Sequence, residues 1–498
     1  MSITQPSPVG LSYRVTNQSS PTLRTDASAR AQFVGLTAKG PLNYSGVIST
    51  VQQFTNIFGG RSAFDTLYDS VRSYIEEQGG TGECYITRVV GPNATNGSVT
   101  LSTAGETPVE TVTVEVTDPG EHTTNYQAVV NEGANGTTLA VVDSTTGRTI
   151  GSFGPASTVV ELVDLNLGHQ DVTIRSLGAA GLPAPGVFPL SGGSDDRGSV
   201  TATTYVNALD AHKSVPAGVG IAIPGQPATV ELVSGVGAHA NAKHKIFVTS
   251  PAQGATIAEA VALGETLLGT PYGHRVAVVY PHLRVPDAGS KTRVVSPEGY
   301  VLAARAVTHR TKSPAAAPAG ASRKTTWVTT PVAILDEADV NTLNPARVNG
   351  IVSEGGRHYL YNWVSLSTDP ALFNLNDTDG ANALTTSIDA RLRSDEILFE
   401  PNGRPELLAR IEGHVASALA PYADRGYLQP RYDVDGGVLD PGYVIRVEDV
   451  NLTDQDAPYD QIHVEVDVRF RPTLRHIDMT VRRLEFRYDL TAATAVAS

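Results

Sequence analysis

Several short patterns in the chain carry residue types and spacings that chemistry uses. Gly235-Val-Gly237-Ala-His-Ala240 matches G-x-G-x-x-A, the spacing that brings backbone N–H groups at a strand-to-helix turn against a pyrophosphate. That use needs the glycines at a helix N-terminus. Here they fall inside a helical stretch expected over residues 228–244, well past the preceding strand, so the match reads as coincidence. Leu190-Ser-Gly-Gly-Ser-Asp-Asp196 gathers hydroxyls and acids, but it is not the G-x-S-x-G nucleophile elbow. A turn at a domain junction is expected there. Asp377-Thr-Asp379-Gly and Asp433-Val-Asp435-Gly begin like calcium loops yet lack a third ligand and the closing glutamate, which points to Asx-turns. His239, His244 and His274 lack the i, i+4 pairing of a zinc helix and are expected to be solvated or helix-terminal. Cys84 lies in an apolar strand, where a thiol behaves as inert core. No G-x-x-x-x-G-K-[ST] occurs, which removes P-loop chemistry. These residues give no catalytic constellation, no cofactor site and no metal site, and an enzyme is not expected.

The bulk properties narrow the class. The 498 residues suffice for two to four domains, and 41% apolar with 18% charged residues is ordinary for a soluble globular chain. A formal charge of −14 argues against direct binding of nucleic acid, which needs a basic face. One cysteine excludes an intrachain disulfide framework. The start, MSITQPSPVG, lacks the basic and apolar regions of a Sec signal, and no apolar run approaches the length of a membrane span, so no membrane insertion is expected.

The elements that would carry function are read from periodicity. Residues 1–24 form an extended arm with a short alternation of Leu11, Tyr13 and Val15. Residues 25–92 read as α/β: a strand over 32–36, a helix over 51–58, a helix over 63–78 ending at Gly79-Gly80, and a buried strand over 84–90. Residues 93–190 are Thr- and Val-rich, with strands over 110–116 and 138–142 and turn signals at Asn135-Gly136 and Thr146-Gly147. Ten acidic residues stand there against two arginines, a net charge of −8, and an inserted acidic β-rich domain is expected. The α/β pattern returns over 191–380, with alternating strands and helices that imply parallel crossovers. An amphipathic helix over 405–422 lies in a segment spanning 381–482, and residues 483–498 form a second arm. The fold class expected is a mixed α/β core with an inserted β-rich domain and extended β-arms at both ends.

The strongest alternation lies near the C-terminus. Val464, Val466, Val468 and Phe470 alternate with charged residues, and Ile477, Met479 and Val481 resume the pattern. At Arg482-Arg483 two polar residues fall together, and the apolar set continues one position out of phase as Leu484, Phe486 and Tyr488. A single extra residue flips the apolar face, so a β-bulge or a break between two pairings is expected. Between Arg469 and Arg487, six arginines stand against two acids, a local +4 that would complement an acidic neighbour.

Several motifs then fall in one order. Phe33-Val34-Gly35 with Lys39-Gly-Pro41; Phe58-Gly59-Gly60, Leu67-Tyr68, Gly79-Gly80 and Tyr85-Ile-Thr-Arg88; Leu190-Ser-Gly-Gly193; Ile223-Pro-Gly225; Val279-Tyr-Pro281; Ser296-Pro-Glu-Gly299; Leu343-Asn-Pro345 with Asn349-Gly-Ile351; and Phe399-Glu-Pro-Asn402 together resemble the sheath proteins of contractile tails and related injection machines. Three departures stand out. Ser296 replaces a proline, Arg305 lacks the acidic residue expected soon after it, and the segment over 384–396 lacks an arginine pair.

The resemblance implies a homo-oligomer of stacked hexameric rings around an inner tail tube protein, bounded by baseplate and tail terminator proteins. It places the protein in a virion tail assembled in the host cytoplasm. It implies that Leu11, Tyr13, Val15, Leu484, Phe486 and Tyr488 donate strands between subunits. The receiving sheet would hold Val464, Val466, Val468, Phe470, Ile477, Met479 and Val481. Tube-facing or lattice electrostatics would fall to Arg404, Glu406, Arg410, His414, Arg482 and Arg483. The alternative is a β-rich surface or adhesion protein on an α/β scaffold.

Overall fold

The computed structural model describes residues 27–394, 404–449 and 462–471. They divide into two compact units, one running through Leu419 and the other starting at Ala420. The expected arm residues Leu11, Tyr13, Val15, Leu484, Phe486 and Tyr488 lie outside the described residues, as do Ile477, Met479, Val481, Arg482 and Arg483.

The first unit opens with β1 (Ala31–Gly35), α1 (Val51–Phe58), α2 (Tyr68–Glu76) and β2 (Cys84–Arg88). Seven strands and a short helix follow: β3 (Ser98–Ser102), β4 (Glu110–Val116), β5 (Tyr126–Gly133), β6 (Gly136–Asp143), β7 (Thr149–Ala156), α3 (Val159–Asp164), β8 (Val172–Ser176) and β9 (Gly186–Pro189). They make two antiparallel sheets, β3-β4-β8 and β7-β6-β5-β9, around a core of their own that includes Leu101, Val114, Val130, Leu139, Val141, Leu162 and Ile174. The β5–β6 turn needs Gly136 twice over. Its φ is +125°, and a Cβ there would lie 2.6 Å from the Ala156 carbonyl oxygen.

The chain then adds α4 (Ala202–Ala211), β10 (Gly220–Ala222), α5 (Val230–Ala242), β11 (Ile246–Thr249), α6 (Ile257–Leu267) and β12 (Val276–Tyr280). After these come β13 (Leu283–Pro286), β14 (Thr292–Val295), α7 (Glu298–Thr311), β15 (Thr330–Pro331), α8 (Glu337–Leu343), β16 (Val348–Glu354), β17 (Arg357–Leu360) and α9 (Leu375–Ser394). The central sheet has the order β17-β16-β12-β11-β10-β1-β2, parallel except for β17 at one edge.

Strand alternation explains why these strands read as unbroken apolar runs. Phe33, Ala222, Val248 and Val279 face a core shared with α1, α2 and α7. Val34, Ile221, Phe247 and Val278 face a second core shared with α4, α5, α6 and α8. With helices on both faces, neither side of the strands meets water.

Two expectations are corrected here. The helix expected over 63–78 begins only at Tyr68, because the Asp65 carboxylate accepts from the backbone N–H groups of Leu67 (2.7 Å) and Tyr68 (2.9 Å) and holds the preceding residues in a turn. It ends at Glu76, two residues short of the expected end, and Gly79 and Gly80 follow at positive φ. Asp377 and Asp379 do not sit in an Asx-turn. They lie within the twenty-residue helix α9, where tertiary contacts override the turn propensity of Asp-Gly.

Helix α10 (Arg404–Asp424) continues from the first unit into the second. The second unit then holds β18 (Arg431–Tyr432), β19 (Val438–Asp440), β20 (Tyr443–Asp449) and β21 (Ile462–Val468). The turn between β18 and β19 is the Asx-turn expected at Asp433, whose Oδ1 accepts from the N–H of Asp435 (2.9 Å) and Gly437 (2.6 Å).

Candidate assembly surfaces

Strands β20 and β21 pair antiparallel without interruption, from Tyr443 opposite Val468 to Asp449 opposite Ile462. Period two puts Tyr443, Ile445, Val447, Val464, Val466 and Val468 on one face and Val444, Arg446, Glu448, His463, Glu465 and Asp467 on the other. The polar face is exposed, and its Arg446 bridges Glu465 (2.7 Å) and Asp467 (2.8 Å). The apolar face is only half-buried, and none of its six residues is fully covered.

The base of β21 is gripped from both sides. Arg469 N–H donates to Gly442 O (2.8 Å), while Phe470 bridges to buried Leu428 through bonds from Gln429 N to Arg469 O and from Arg471 N to Tyr427 O. Above that base, among the described residues, Ile462–Val468 pairs only with β20. A strand edge with an incompletely covered apolar face is what β-augmentation uses. One arginine of the basic terminal segment is committed internally, Arg469 to Asp440 at 3.1 Å.

Helix α10 buries Leu407, Ile411, Val415 and Leu419 along one stripe. Glu406 is exposed, Arg410 and His414 are half-buried, and Arg404 starts the helix. The structure thus brings Glu406, Arg410 and His414 onto one helix, and it places Val464, Val466 and Val468 on one face of a ribbon.

The patterns that opened the sequence analysis resolve into packing. Gly235 and Gly237 lie inside α5, where a Cβ would meet Val206 at 2.7 Å and Pro271 O at 3.5 Å, respectively. Cys84 is buried, and burial pushes its thiol well above the usual range. His239 is helix-terminal, in the last turn of α5, rather than solvated. It is buried, with Nδ1 2.7 Å from Asp210, and burial lowers its pKa. Among the described residues no three His, Cys, Asp or Glu side chains come together as metal ligands, and no helix is long and apolar enough to cross a membrane.

Leu190–Asp196 does more than turn. Asp195 Oδ1 accepts from buried Arg88 at the end of β2 (2.5 Å). Its Oδ2 accepts from Arg197 (2.5 Å) and from Glu121 N–H (3.2 Å). The two chain crossings into the β-rich sheets are zipped together by antiparallel bridges at Thr95–Ser194 and Ser98–Ser191. Arg197 also lies over the Phe64 ring, 3.4 Å from its centroid.

Two further cationic side chains are buried in the first unit, Lys245 before β11 and Arg305 on α7. Lys245 donates to Gln32 Oε1 (2.9 Å), Gln32 donates to Thr87 Oγ1 (2.9 Å), and Thr87 Oγ1 lies 2.7 Å from His212 Nδ1. With no carboxylate bonded to it, Lys245 has its pKa lowered by burial to about 7. Arg305 finds an acidic partner after all. It is Asp379 on α9, at 2.7 Å, with both side chains essentially inaccessible. An arginine in an apolar helical run signals that a partner exists, but nothing local names one 74 residues away.

A cleft of about 240 Å³ opens at the carboxyl ends of β10, β11 and β12, lined by Asp65, Ser70, Ser250, His282, Arg293 and Ser296 among others. Open α/β sheets place ligands in this position. Burial raises Asp65 to about 6 and lowers His282 to about 4, so the imidazole is neutral at pH 7. Ser250 donates to buried Glu298 (2.6 Å), and Ser70 and Ser296 lie 3.4 Å apart. Among the described residues no cleft serine is hydrogen-bonded to a histidine, so the arrangement lacks the nucleophile–base pair of a hydrolase.

With this geometry in view, the comparisons define the class. No family model and no curated protein matches the sequence. Solved structures do. The sheath tail protein Lin1278 from Listeria innocua aligns with a TM-score of 0.60 at 13% identity, covering 89% of this chain and 98% of that one. The helical sheath of the anti-feeding prophage in its contracted state aligns at 0.54 and 14% identity, covering 96% and 100%. The sheath complex of an extracellular contractile injection system, also contracted, aligns at 0.50 and 15% identity, covering 98% and 100%. The chain has the fold of contractile sheath proteins.

Proposed function

We propose that this chain is the structural subunit of a contractile sheath. Copies polymerise as stacked hexameric rings around an inner tube and contract to drive that tube through a target envelope. The observation that carries the reading is the likeness to sheath proteins over nearly the full length of both chains. The half-covered ribbon β20–β21 supports it, because a subunit built for strand exchange needs an edge of this kind.

In this reading Val464, Val466, Val468 and Phe470, with Ile477, Met479 and Val481, form the receiving sheet. Leu11, Tyr13 and Val15 of one neighbour and Leu484, Phe486 and Tyr488 of another add strands to it. The α10 face with Arg404, Glu406, Arg410 and His414, together with Arg482 and Arg483, supplies tube or lattice electrostatics. The acidic β-rich sheets point outward, and baseplate and terminator proteins bound the polymer. Energy is stored in the extended lattice at assembly and released by rigid-body rearrangement, with the arms as tethers.

Sedimentation velocity of the purified chain tests the reading. Concentration-dependent polymers far larger than a hexamer are expected. A single monomeric species at every concentration and salt would contradict it.

A further inference from the structure

We infer that Arg305 anchors the root of the amino-terminal arm and couples it to the helix leading towards the carboxy-terminal ribbon, so that tension between the two arms of a subunit passes through one buried ion pair. The inference rests on the sheath reading for the tension, and on geometry alone for the anchor.

The described chain begins at Ala27, and each of the next three carbonyls lies against a different element, two of them as hydrogen-bond acceptors. Ser28 O accepts from Arg305 Nη1 (2.6 Å) and lies 3.1 Å from His309 Nδ1. Ala29 O lies 3.5 Å from Tyr74 Oη, whose proton goes to Glu83 O (2.9 Å), and Arg30 O accepts from Gly220 N–H (3.2 Å). The last of these bonds is the first rung of β1 against β10.

The same guanidinium reaches two more elements. Nη2 donates to Gly218 O (2.9 Å) and to Asp379 Oδ1 (2.7 Å), and Nε donates to Asp379 Oδ2 (3.1 Å). Asp379 lies near the start of α9, and from α9 the chain runs through residues 395–403 into α10 and on to β20–β21. A second arginine holds α9 three residues later, Arg275 on Asn382.

Arg305 therefore joins the root of one arm and the stem of the other within a single side chain. Its planar fork fixes direction as well as distance. Apolar contacts are non-directional and allow sliding under load, whereas hydrogen bonds weaken steeply once stretched or bent. A buried ion pair is often replaceable by apolar residues without loss of stability. What such a replacement removes is the fixed link between two elements.

Hydrogen exchange of the full chain in its unassembled form tests the anchor without needing a polymer. Arg305→Met is expected to speed exchange over residues 27–33 at least tenfold while leaving residues 98–190 unchanged. Asp379→Asn is expected to speed exchange over 375–383 and to spare 27–33, because Arg305 keeps its carbonyl bonds. Arg305→Lys recovers only part of the protection, since one ammonium cannot span both carbonyls and the carboxylate, and it carries the comparison if Arg305→Met folds poorly. A merely structural role moves all these segments together in every variant, and that outcome overturns the proposal.

For the tension, polymers of the double variant Arg305→Met/Asp379→Leu should fragment under shear that wild-type polymers survive, at matched monomer melting temperature. Equal survival overturns the coupling. If the wild type makes no polymer, the sheath reading fails by itself and the exchange comparison still decides the anchor.

Discussion

At the scale of single residues, the charges inside the first unit divide into partnered and unpartnered. Lys245 belongs to the second kind, with an amide as its only bonded neighbour. Its pKa in the folded protein is about 7, below the ordinary 10.5, so between these values the unfolded chain binds a proton that the folded chain does not. Stability contributed through this group is therefore fully present above pH 10.5 and lost as pH falls through about 7. Lys245→Met should raise stability at pH 7 by roughly 1–3 kcal/mol, after the lost bond to Gln32 is counted, with the gain shrinking towards pH 10.5. Urea unfolding at several pH values measures it. Asp195 is the opposite case. Asp195→Ala leaves Arg88 buried without its carboxylate and should cost about 3–5 kcal/mol locally. Limited proteolysis should then cut within 89–97 or 190–197 before anywhere else. Neither role is visible in the sequence. Lys245 stands in a polar-looking Lys243-His-Lys245 run, and Asp195 sits in a glycine loop that resembles any solvated turn.

At the scale of elements, the proposed assembly rests on the ribbon. Val466 lies mid-strand on the half-covered face. Val466→Lys should shift monomer stability by no more than about 1 kcal/mol, because a half-exposed site has room for the chain to reach water. Polymerisation should nevertheless be lost, as seen by sedimentation. Removing Leu484–Ser498 should likewise leave a folded chain that no longer polymerises.

The core strands were legible because both of their faces are covered, which leaves an apolar run bounded by turns. Helix α1 appears over the very residues its pattern marks, and α10 departs from its expected bounds by one residue at the start and two at the end. Helix α9 was not legible. Its Asp-Thr-Asp-Gly segment favours a turn locally, and distant contacts, burial of Leu375 and the Asp379–Arg305 ion pair among them, override that preference. β20 was not legible in the sequence, where Val444 breaks the alternation, and nothing local says that it pairs with β21. The G-x-G-x-x-A spacing misleads for the converse reason. The glycines serve close packing of α5 against Val206 and Pro271, which leaves the same letters as a nucleotide turn.

At the scale of the whole molecule, the β-rich sheets have their own core, and their two connections run side by side. Gly91 N–H donates to Asp195 O at 2.8 Å, so a short linker can close the gap left by excision. Deleting residues 93–190 should therefore preserve both the fold and polymerisation. Loss of the helical signal on deletion would show that the sheets are integral to the core. The central claim is that the chain builds a sheath, and electron microscopy of the negatively stained, purified full-length protein tests it most directly. Long hollow cylinders with a regular axial repeat are the predicted result, while only dispersed globular particles across a range of salt and protein concentrations would contradict it.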